Sequence, residues 1–302
     1  MSNIEWCTKT WPLMYGCARV SDGCTHCYAE QRWVPRFQAN PGLKELYNSG
    51  IVDSNRNWTG KVVMLDRNLD WPLRIKKPER IFVNPFSDLF HEAVPDQFID
   101  QVFWRMAWCK QHLFMILTKR PLRMKVYCNG MDKLDRKERA IRILVSGGVK
   151  HFPEAIHNSG LDWPIANVAL GVSVENQAMA DQRIPHLLRT PATTRFISYE
   201  PALGPVDFSE YLKPEKTCDG HGAWLCEDDC YKSPLDQIIV GAESGKGARP
   251  MEVDWVRSIV AQCREVGVAV FVKQFCIDGH KIPFSEFPED LKIRQIPGGM
   301  EV

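Results

Sequence analysis

Seven short apolar runs, rich in β-branched and aromatic residues, constrain the fold more than any other feature of the sequence. They are Val62–Leu65, Ile81–Asn84, Phe114–Thr118, Val168–Val172, Arg195–Ser198, Gln237–Gly241 and Val268–Val272. Nearly unbroken apolar character is what strands buried on both faces of a parallel sheet require. Helical patterns lie between several of them: Asp96–Gln111, Gln177–Leu188 and Val253–Val266. Alternation of strand and helix marks βαβ units, and right-handed crossovers curl such a sheet into a full or partial parallel (β/α) barrel. The expectation is an α/β chain forming a single domain over residues 1–302, with inserted segments at about 124–166 and 213–234.

Ahead of the first run, Ile4-Glu5-Trp6-Cys7 reads as a short strand, Tyr28–Gln38 as a helix ended by Asn40-Pro41-Gly42, and residues 42–61 as polar and irregular. The N-terminus carries no charged segment followed by an apolar run, so no signal peptide is expected. No apolar stretch approaches the length of a membrane span. Eleven cysteines in 302 residues do not resemble a secreted disulfide scaffold, and a reducing cytoplasm is the expected compartment. A formal net charge of +1 announces no global basic field for nucleic acid, although a local basic face is compatible with it.

Three of those cysteines, Cys17, Cys24 and Cys27, fall within eleven residues at C-x6-C-x2-C spacing, with Gly16 and Gly23 before the first two. Glycines let a loop bend sharply and turn several thiolates toward one point. Three thiolates at one point read as a metal or cluster site with an open coordination position. A [4Fe–4S] cluster is one reading. A zinc knuckle completed by Cys7, His26 or a later cysteine is a second, and unpaired core thiols a third. Cys109, Cys128 and Cys263 sit in or near helical patterns and read as small core residues. In the second insertion, Cys218, His221, Cys226 and Cys230 form a possible second metal site, with zinc as the candidate ion. The charge run Asp132–Arg139 in the first insertion reads as a solvated helix face.

Polar residues gather just after the apolar runs. Asn84, Ser87, Asp88 and His91 follow the second, Thr118, Lys119 and Arg120 the third, and Ser173, Glu175 and Asn176 the fourth. Glu200 follows the fifth, Glu243 and Ser244 the sixth, and Lys273 and Gln274 the seventh. In parallel barrels the active site lies at the C-terminal strand ends. Any one of these residues can equally be a helix cap or a loop hydrogen bond; as a set they favour a polar cavity.

The triad followed by Tyr28-Ala29 resembles the cluster loop of the radical S-adenosylmethionine (SAM) enzymes. Those usually space it C-x3-C-x2-C, with the aromatic residue before the last cysteine. The chain is more closely similar to a phage-encoded, radical-SAM-like family long known only as a domain of unknown function. The segments that carry the likeness are Ile4-Glu5-Trp6, Cys17 to Glu30, Ser87-Asp88-Leu89-Phe90-His91, Leu117-Thr118-Lys119-Arg120-Pro121, Leu170 to Asn176, Ser198-Tyr199-Glu200-Pro201, Val240 to Gly245, Arg249-Pro250-Met251 and Lys273-Gln274-Phe275.

The resemblance implies a radical SAM barrel in which Cys17, Cys24 and Cys27 hold a [4Fe–4S] cluster whose fourth iron is chelated by the amino and carboxylate groups of SAM. It implies reductive cleavage of SAM to a 5′-deoxyadenosyl radical, with a reductant such as flavodoxin or ferredoxin as partner. Ser87 and Asp88 are expected to accept from the methionine ammonium group, and Lys119 or Arg120 to neutralise its carboxylate. Ser173, Glu175 and Asn176 are expected to bond the ribose hydroxyls. Glu200, Glu243, Lys273 and Gln274 then face substrate, and Arg249 an anionic part of it. The phage setting implies a nucleotide or DNA-base substrate in the host cytoplasm. One expected reaction is isomerisation of an amino-acid-decorated thymine in DNA hypermodification. Cleavage of a thymine lesion, as by spore photoproduct lyase, is an alternative. A non-enzymatic zinc-binding interaction protein is the competing class.

Overall fold

The structure, a computed structural model, describes residues 4–40, 43–135, 137–139, 141–142, 161–216, 231–232, 234–297 and 300–301. The chain divides into two compact units. One comprises Met1–Val172 with Arg189–Thr194; the other comprises Ser173–Leu188 with Arg195–Val302.

The first unit is built on four parallel strands: β1 (Lys9–Trp11), β2 (Arg80–Val83), β3 (Leu113–Thr118) and β4 (Val168–Val174). They pair in that order, and the last two residues of β4 pass into the second unit. Lys9 lies opposite Ile81, Arg80 opposite Leu113, and Phe114 opposite Val168. Helix α1 (Asp96–Trp108) joins β2 to β3. Pro95 stands at its N-terminal boundary and Asp96 in its first turn, where a carboxylate meets the positive end of the helix dipole. Its Ile99, Val102, Phe103 and Met106 are fully buried. Helix α2 (Pro121–Asp132) starts on a proline, whose missing N–H costs nothing in a first turn.

Two strand expectations on this side are corrected. Ile4–Cys7 forms a turn, closed by the Cys7 N–H on the Ile4 carbonyl at 3.3 Å, and the edge strand is Lys9–Trp11. Only Trp11 of that strand is buried, so no apolar run announces it. The run Val62–Leu65 shrinks to Val63–Met64, which pairs antiparallel with Met14–Tyr15 outside the parallel sheet. Its partner segment follows β1 after two residues, so this ribbon closes the cysteine loop rather than extending the sheet.

Residues 42–61, expected to be irregular, contribute a helix at Lys44–Asn48 and an antiparallel bridge between Val52 and Trp58. Leu46, Ile51, Val52 and Trp58 form a satellite core with Tyr15, Ala29, Val34 and Phe86, and Cys17 and Cys27 pack against it. The expected helix after Cys27 is present as a π-turn, Ala29–Trp33, that continues as an α-helix over Val34–Ala39.

The second unit carries β5 (Thr194–Tyr199, its first residue in the first unit), β6 (Gln237–Gly241) and β7 (Ala269–Gln274), all parallel. Gln237 faces Phe196 on one side and Ala269 on the other. The register slips between Val240 and Gly241, so that Gly241 lies opposite Gln274. Helix α3 (Gln177–Leu188) and helix α4 (Val253–Val266) occupy the residues expected from periodicity. In α4, Val256, Ile259, Val260 and Cys263 recur at helical spacing and are buried, and Gly267 at φ +71° ends the helix in the left-handed conformation.

The α/β class and the parallel strands are therefore as expected. Cys109, Cys128 and Cys263 are buried, as core thiols should be. Arg139, expected on a solvated face, is buried and donates to the carbonyls of Met131, Leu134 and Leu161. Residues 143–160 and 217–230 lie outside the described residues, and with them Cys218, His221, Cys226 and Cys230. No described helix is long and apolar enough to cross a membrane.

Gly16 sets the entry to the cysteine loop. It adopts φ +98°, and a methyl group there would overlap the Lys61 carbonyl oxygen. Gly23, by contrast, sits in a 3-10 turn, Asp22–Cys24, without a positive φ. Gly16→Ala should destabilise the chain by about 2 kcal/mol or more in urea unfolding, combining backbone strain with the clash. Gly50→Ala is the control: φ is also positive there, at +79°, but nothing lies within 4 Å of an added methyl. It should cost about 1 kcal/mol.

Candidate functional site

The cysteine loop leaves the C-terminal end of β1. Cys17, Cys24 and Cys27 are free and partly buried. Burial pushes the Cys17 thiol up to about 12, against the lowering effect of Arg120; the nearby Asp88 and Cys27 raise it further. Burial also raises Cys27, whose sulfur accepts backbone N–H groups of Glu30 and Ala29, while Cys24 adds to the rise. The Cys24 sulfur stands 4.0 Å from the Ser21 hydroxyl. Among the described residues, no three His, Cys, Asp or Glu side chains are gathered as a group ready to hold a metal ion. The donor chemistry nonetheless fits a thiolate-bound metal or cluster: three free sulfurs on one short loop, with N–H donors already aimed at two of them.

What holds the loop is Arg120, two residues past β3 and 6% exposed. Its Nη1 donates to the Cys17 sulfur at 3.7 Å and to Asp88 Oδ2 at 3.1 Å. Its Nη2 donates to the Ala18 carbonyl at 3.2 Å, and its Nε to both Glu92 oxygens at 3.1 and 3.0 Å. Burial acts to lower its proton affinity, but Asp88, Cys17 and Glu92 together raise it, so the guanidinium stays charged. Asp88 is saturated in turn. It accepts from Thr118 Oγ1 at 2.7 Å, the Lys119 N–H at 2.9 Å and the Phe90 N–H at 3.0 Å, besides Arg120. Asp88, and Arg120 as one of two candidates beside Lys119, were expected to bind the methionine moiety. Both are engaged with one another, and Arg120 also reaches the loop. Ser87 donates to the Met14 carbonyl at 3.4 Å. Lys119 is anchored by its backbone, and its side chain is partly buried.

A second clamp was not legible beforehand. Arg19, between the first two cysteines, donates from Nη2 to Glu30 at 2.7 Å and to Asn57 Oδ1 at 2.7 Å. The buried Glu30 also accepts the Trp58 N–H at 2.8 Å. Asn84, in the left-handed conformation at φ +63°, accepts the N–H groups of Leu13 and Met14 at 3.1 and 3.2 Å. It ties the end of β1 to the end of β2.

The second unit holds its own cluster at the ends of β5, β6 and β7. Lys273 donates to Glu200 Oε1, and the two side chains are 11% and 19% exposed. The Ser173 hydroxyl donates to the Glu200 carbonyl at 3.2 Å. Gln274 donates its Nε2 to the Ala242 carbonyl, while its Oε1 is buried without a hydrogen-bond donor. A methyl group on Gly241 would come within 3.2 Å of Gln274 Cγ and 3.5 Å of Glu200 Oε1. The absence of a side chain at Gly241 therefore leaves room between them, and no motif singled that glycine out.

Other expected site residues are engaged within the fold. Glu175 has no exposure, and its carboxylate takes Arg183 Nη1 at 3.2 and 3.1 Å. Asn176 Oδ1 accepts the Met179 N–H at 3.1 Å, a cap on α3. Glu243 binds Arg249 through Nη2 at 2.6 Å, Nε at 3.0 Å and the backbone N–H at 2.9 Å.

Fold and site together define a parallel α/β protein with a clamped three-cysteine loop at a strand end. The chain belongs to the family DUF5131, described as a protein of unknown function, which matches residues 1–283. No curated protein and no solved structure matches it.

Arg120→Met should cost about 3–5 kcal/mol of stability in urea unfolding, because Asp88 is left buried without its cation. The double variant Arg120→Met/Asp88→Asn should cost less than the two single changes summed. Strict additivity would mean that the two side chains are not coupled.

Proposed function

We propose that the protein is a radical SAM enzyme, with Cys17, Cys24 and Cys27 as the cluster ligands, acting on a modified thymine base or nucleotide. The observation that carries the reading is the loop itself: three free thiols within eleven residues after the first parallel strand, with a buried arginine donating to the first of them. Parallel α/β proteins bind their ligands at C-terminal strand ends. When bound, a [4Fe–4S] cluster with SAM supplies a 5′-deoxyadenosyl radical that removes a hydrogen atom from substrate.

The chain's own residues do the rest. Gly16 bends the loop, and the satellite core behind Cys17 and Cys27 keeps water from one side of it. Arg120 and the Ala29 and Glu30 N–H groups offset negative charge on sulfur. Loading such a site expels the protons of Cys17 and Cys27, whose thiols burial raises. Ser87 and Lys119 are the assigned contacts to the methionine moiety, and Ser173 and Asn176 the assigned contacts to the nucleoside. Glu200, Lys273 and Gln274 are the assigned substrate-facing groups. The favoured reaction is isomerisation of an amino-acid-decorated thymidine, with thymine-lesion cleavage as the second arm of the assay. A reductant of flavodoxin or ferredoxin type would supply the electron.

Anaerobic reconstitution followed by iron and sulfide analysis tests the assignment. About four of each per chain is expected, with loss of the brown absorbance and of deoxyadenosine formation in Cys17→Ala, Cys24→Ala and Cys27→Ala. A colourless protein that retains zinc at this loop would overturn the radical reading in favour of a zinc-stabilised interaction protein.

A further inference from the structure

The Glu200–Lys273–Gln274 cluster differs from every other charged cluster described above in having capacity left over. Glu175 and Glu243 are matched by arginines that fill their carboxylates. Asp88 takes four donors. At the end of β7, by contrast, Lys273 gives one of its three N–H bonds to Glu200 Oε1, and Gln274 Oε1 is buried with no donor at all. A buried acceptor left alone is costly, so its retention at a strand end needs a reason. Gly241 supplies the second observation. A methyl group there would crowd Gln274 Cγ at 3.2 Å and meet Glu200 Oε1 at an ordinary contact distance of 3.5 Å, so the room beside Gln274 depends on that residue having no side chain.

The charges narrow what would fill the space. Glu200 and Lys273 cancel each other, and Gln274 is neutral. An anion would meet the Glu200 carboxylate, and a metal cation would meet the Lys273 ammonium. A neutral ligand with an N–H beside a carbonyl suits both leftover capacities. Its N–H satisfies the Gln274 acceptor, and its carbonyl takes a spare Lys273 hydrogen. We infer that the ends of β5, β6 and β7 form a binding site for the amide or imide edge of a neutral ring, with Gln274 reading the N–H, Lys273 the carbonyl, and Gly241 making the room. The choice of a pyrimidine as probe rests on the proposed thymine chemistry; the assignment of the edge does not.

The test uses the full chain without reconstitution, with thymidine and N3-methylthymidine as probes in ligand-observed NMR titrations. N3-methylation removes the one imide N–H and leaves both carbonyls. Wild type should bind thymidine at least about tenfold more tightly than the methylated nucleoside, the worth of one buried hydrogen bond. Gln274→Leu should abolish that preference while leaving the methylated probe's weak binding unchanged. Gln274→Glu, which keeps an acceptor at the same atom, should retain the preference and guards against misfolding in the leucine variant. Gly241→Ala should weaken thymidine binding. Equal affinity of wild type for the two nucleosides, no binding of either, or a preference that survives Gln274→Leu overturns the inference. The proposed activity is judged separately: iron, sulfide and deoxyadenosine formation can fail while the N–H preference stands, and the reverse.

Discussion

A single guanidinium carries the geometry of the cysteine loop. Arg120 reaches the Cys17 sulfur, the Ala18 carbonyl, Asp88 and Glu92 at the same time, using donors from all three of its nitrogens. A planar fork with five N–H groups can do this; a lysine ammonium, a single point charge on a flexible stem, cannot. Burying such a charge is tolerable only because carboxylates and a carbonyl replace the lost water. Asp88 completes the arrangement by binding Thr118, the Lys119 backbone and Arg120 together, so one carboxylate orders the end of β3 and the arginine that precedes α2.

The loop's other attachments follow the same logic from the opposite side. Glu30 holds Arg19 and the Trp58 backbone, and the Gly60 N–H donates to the Cys17 carbonyl at 3.0 Å. The apolar cluster of Tyr15, Ile51, Trp58 and Phe86 supplies the surface against which Cys17 and Cys27 rest. Polar clamps set direction and apolar packing sets depth. Cys17 and Cys27 are thus held by the unit that surrounds them.

The second unit contains ion pairs that spend their hydrogen-bonding capacity within the fold and one cluster that does not. Arg183 inside α3 meets Glu175 and the Ser173 carbonyl, and so locks the helix to the strand that precedes it. Arg249 closes over Glu243 across six residues. Both pairs spend their hydrogen-bonding capacity within the fold. Glu200, Lys273 and Gln274 do not, and that difference becomes visible only when every partner is accounted for.

Much of the architecture was legible in the sequence because it is local. The apolar runs at residues 81–84, 114–118, 168–172, 195–198, 237–241 and 268–272 announce buried strands, and the 3.6-residue repeats at 177–188 and 253–266 announce helices at the observed boundaries. The cysteine spacing and its bend at Gly16 are equally local. Pairing is not local. Val63–Met64 is apolar enough for the sheet yet joins Met14–Tyr15, and Lys9–Trp11 enters the sheet with one buried side chain. Arg120 and Cys17 lie 103 residues apart, Glu30 and Trp58 lie 28 apart, and Glu200 and Lys273 lie 73 apart. The sequence by itself determined the parallel α/β class, the helices and the three candidate thiols, since each is a matter of neighbouring residues. Only the tertiary structure decided that Asp88 and Arg120 clamp the loop, that Glu175 is neutralised in the interior, and that Gln274 keeps an unfilled acceptor. A side chain's role depends on which distant groups share its surroundings, and that is set by the closing of the chain.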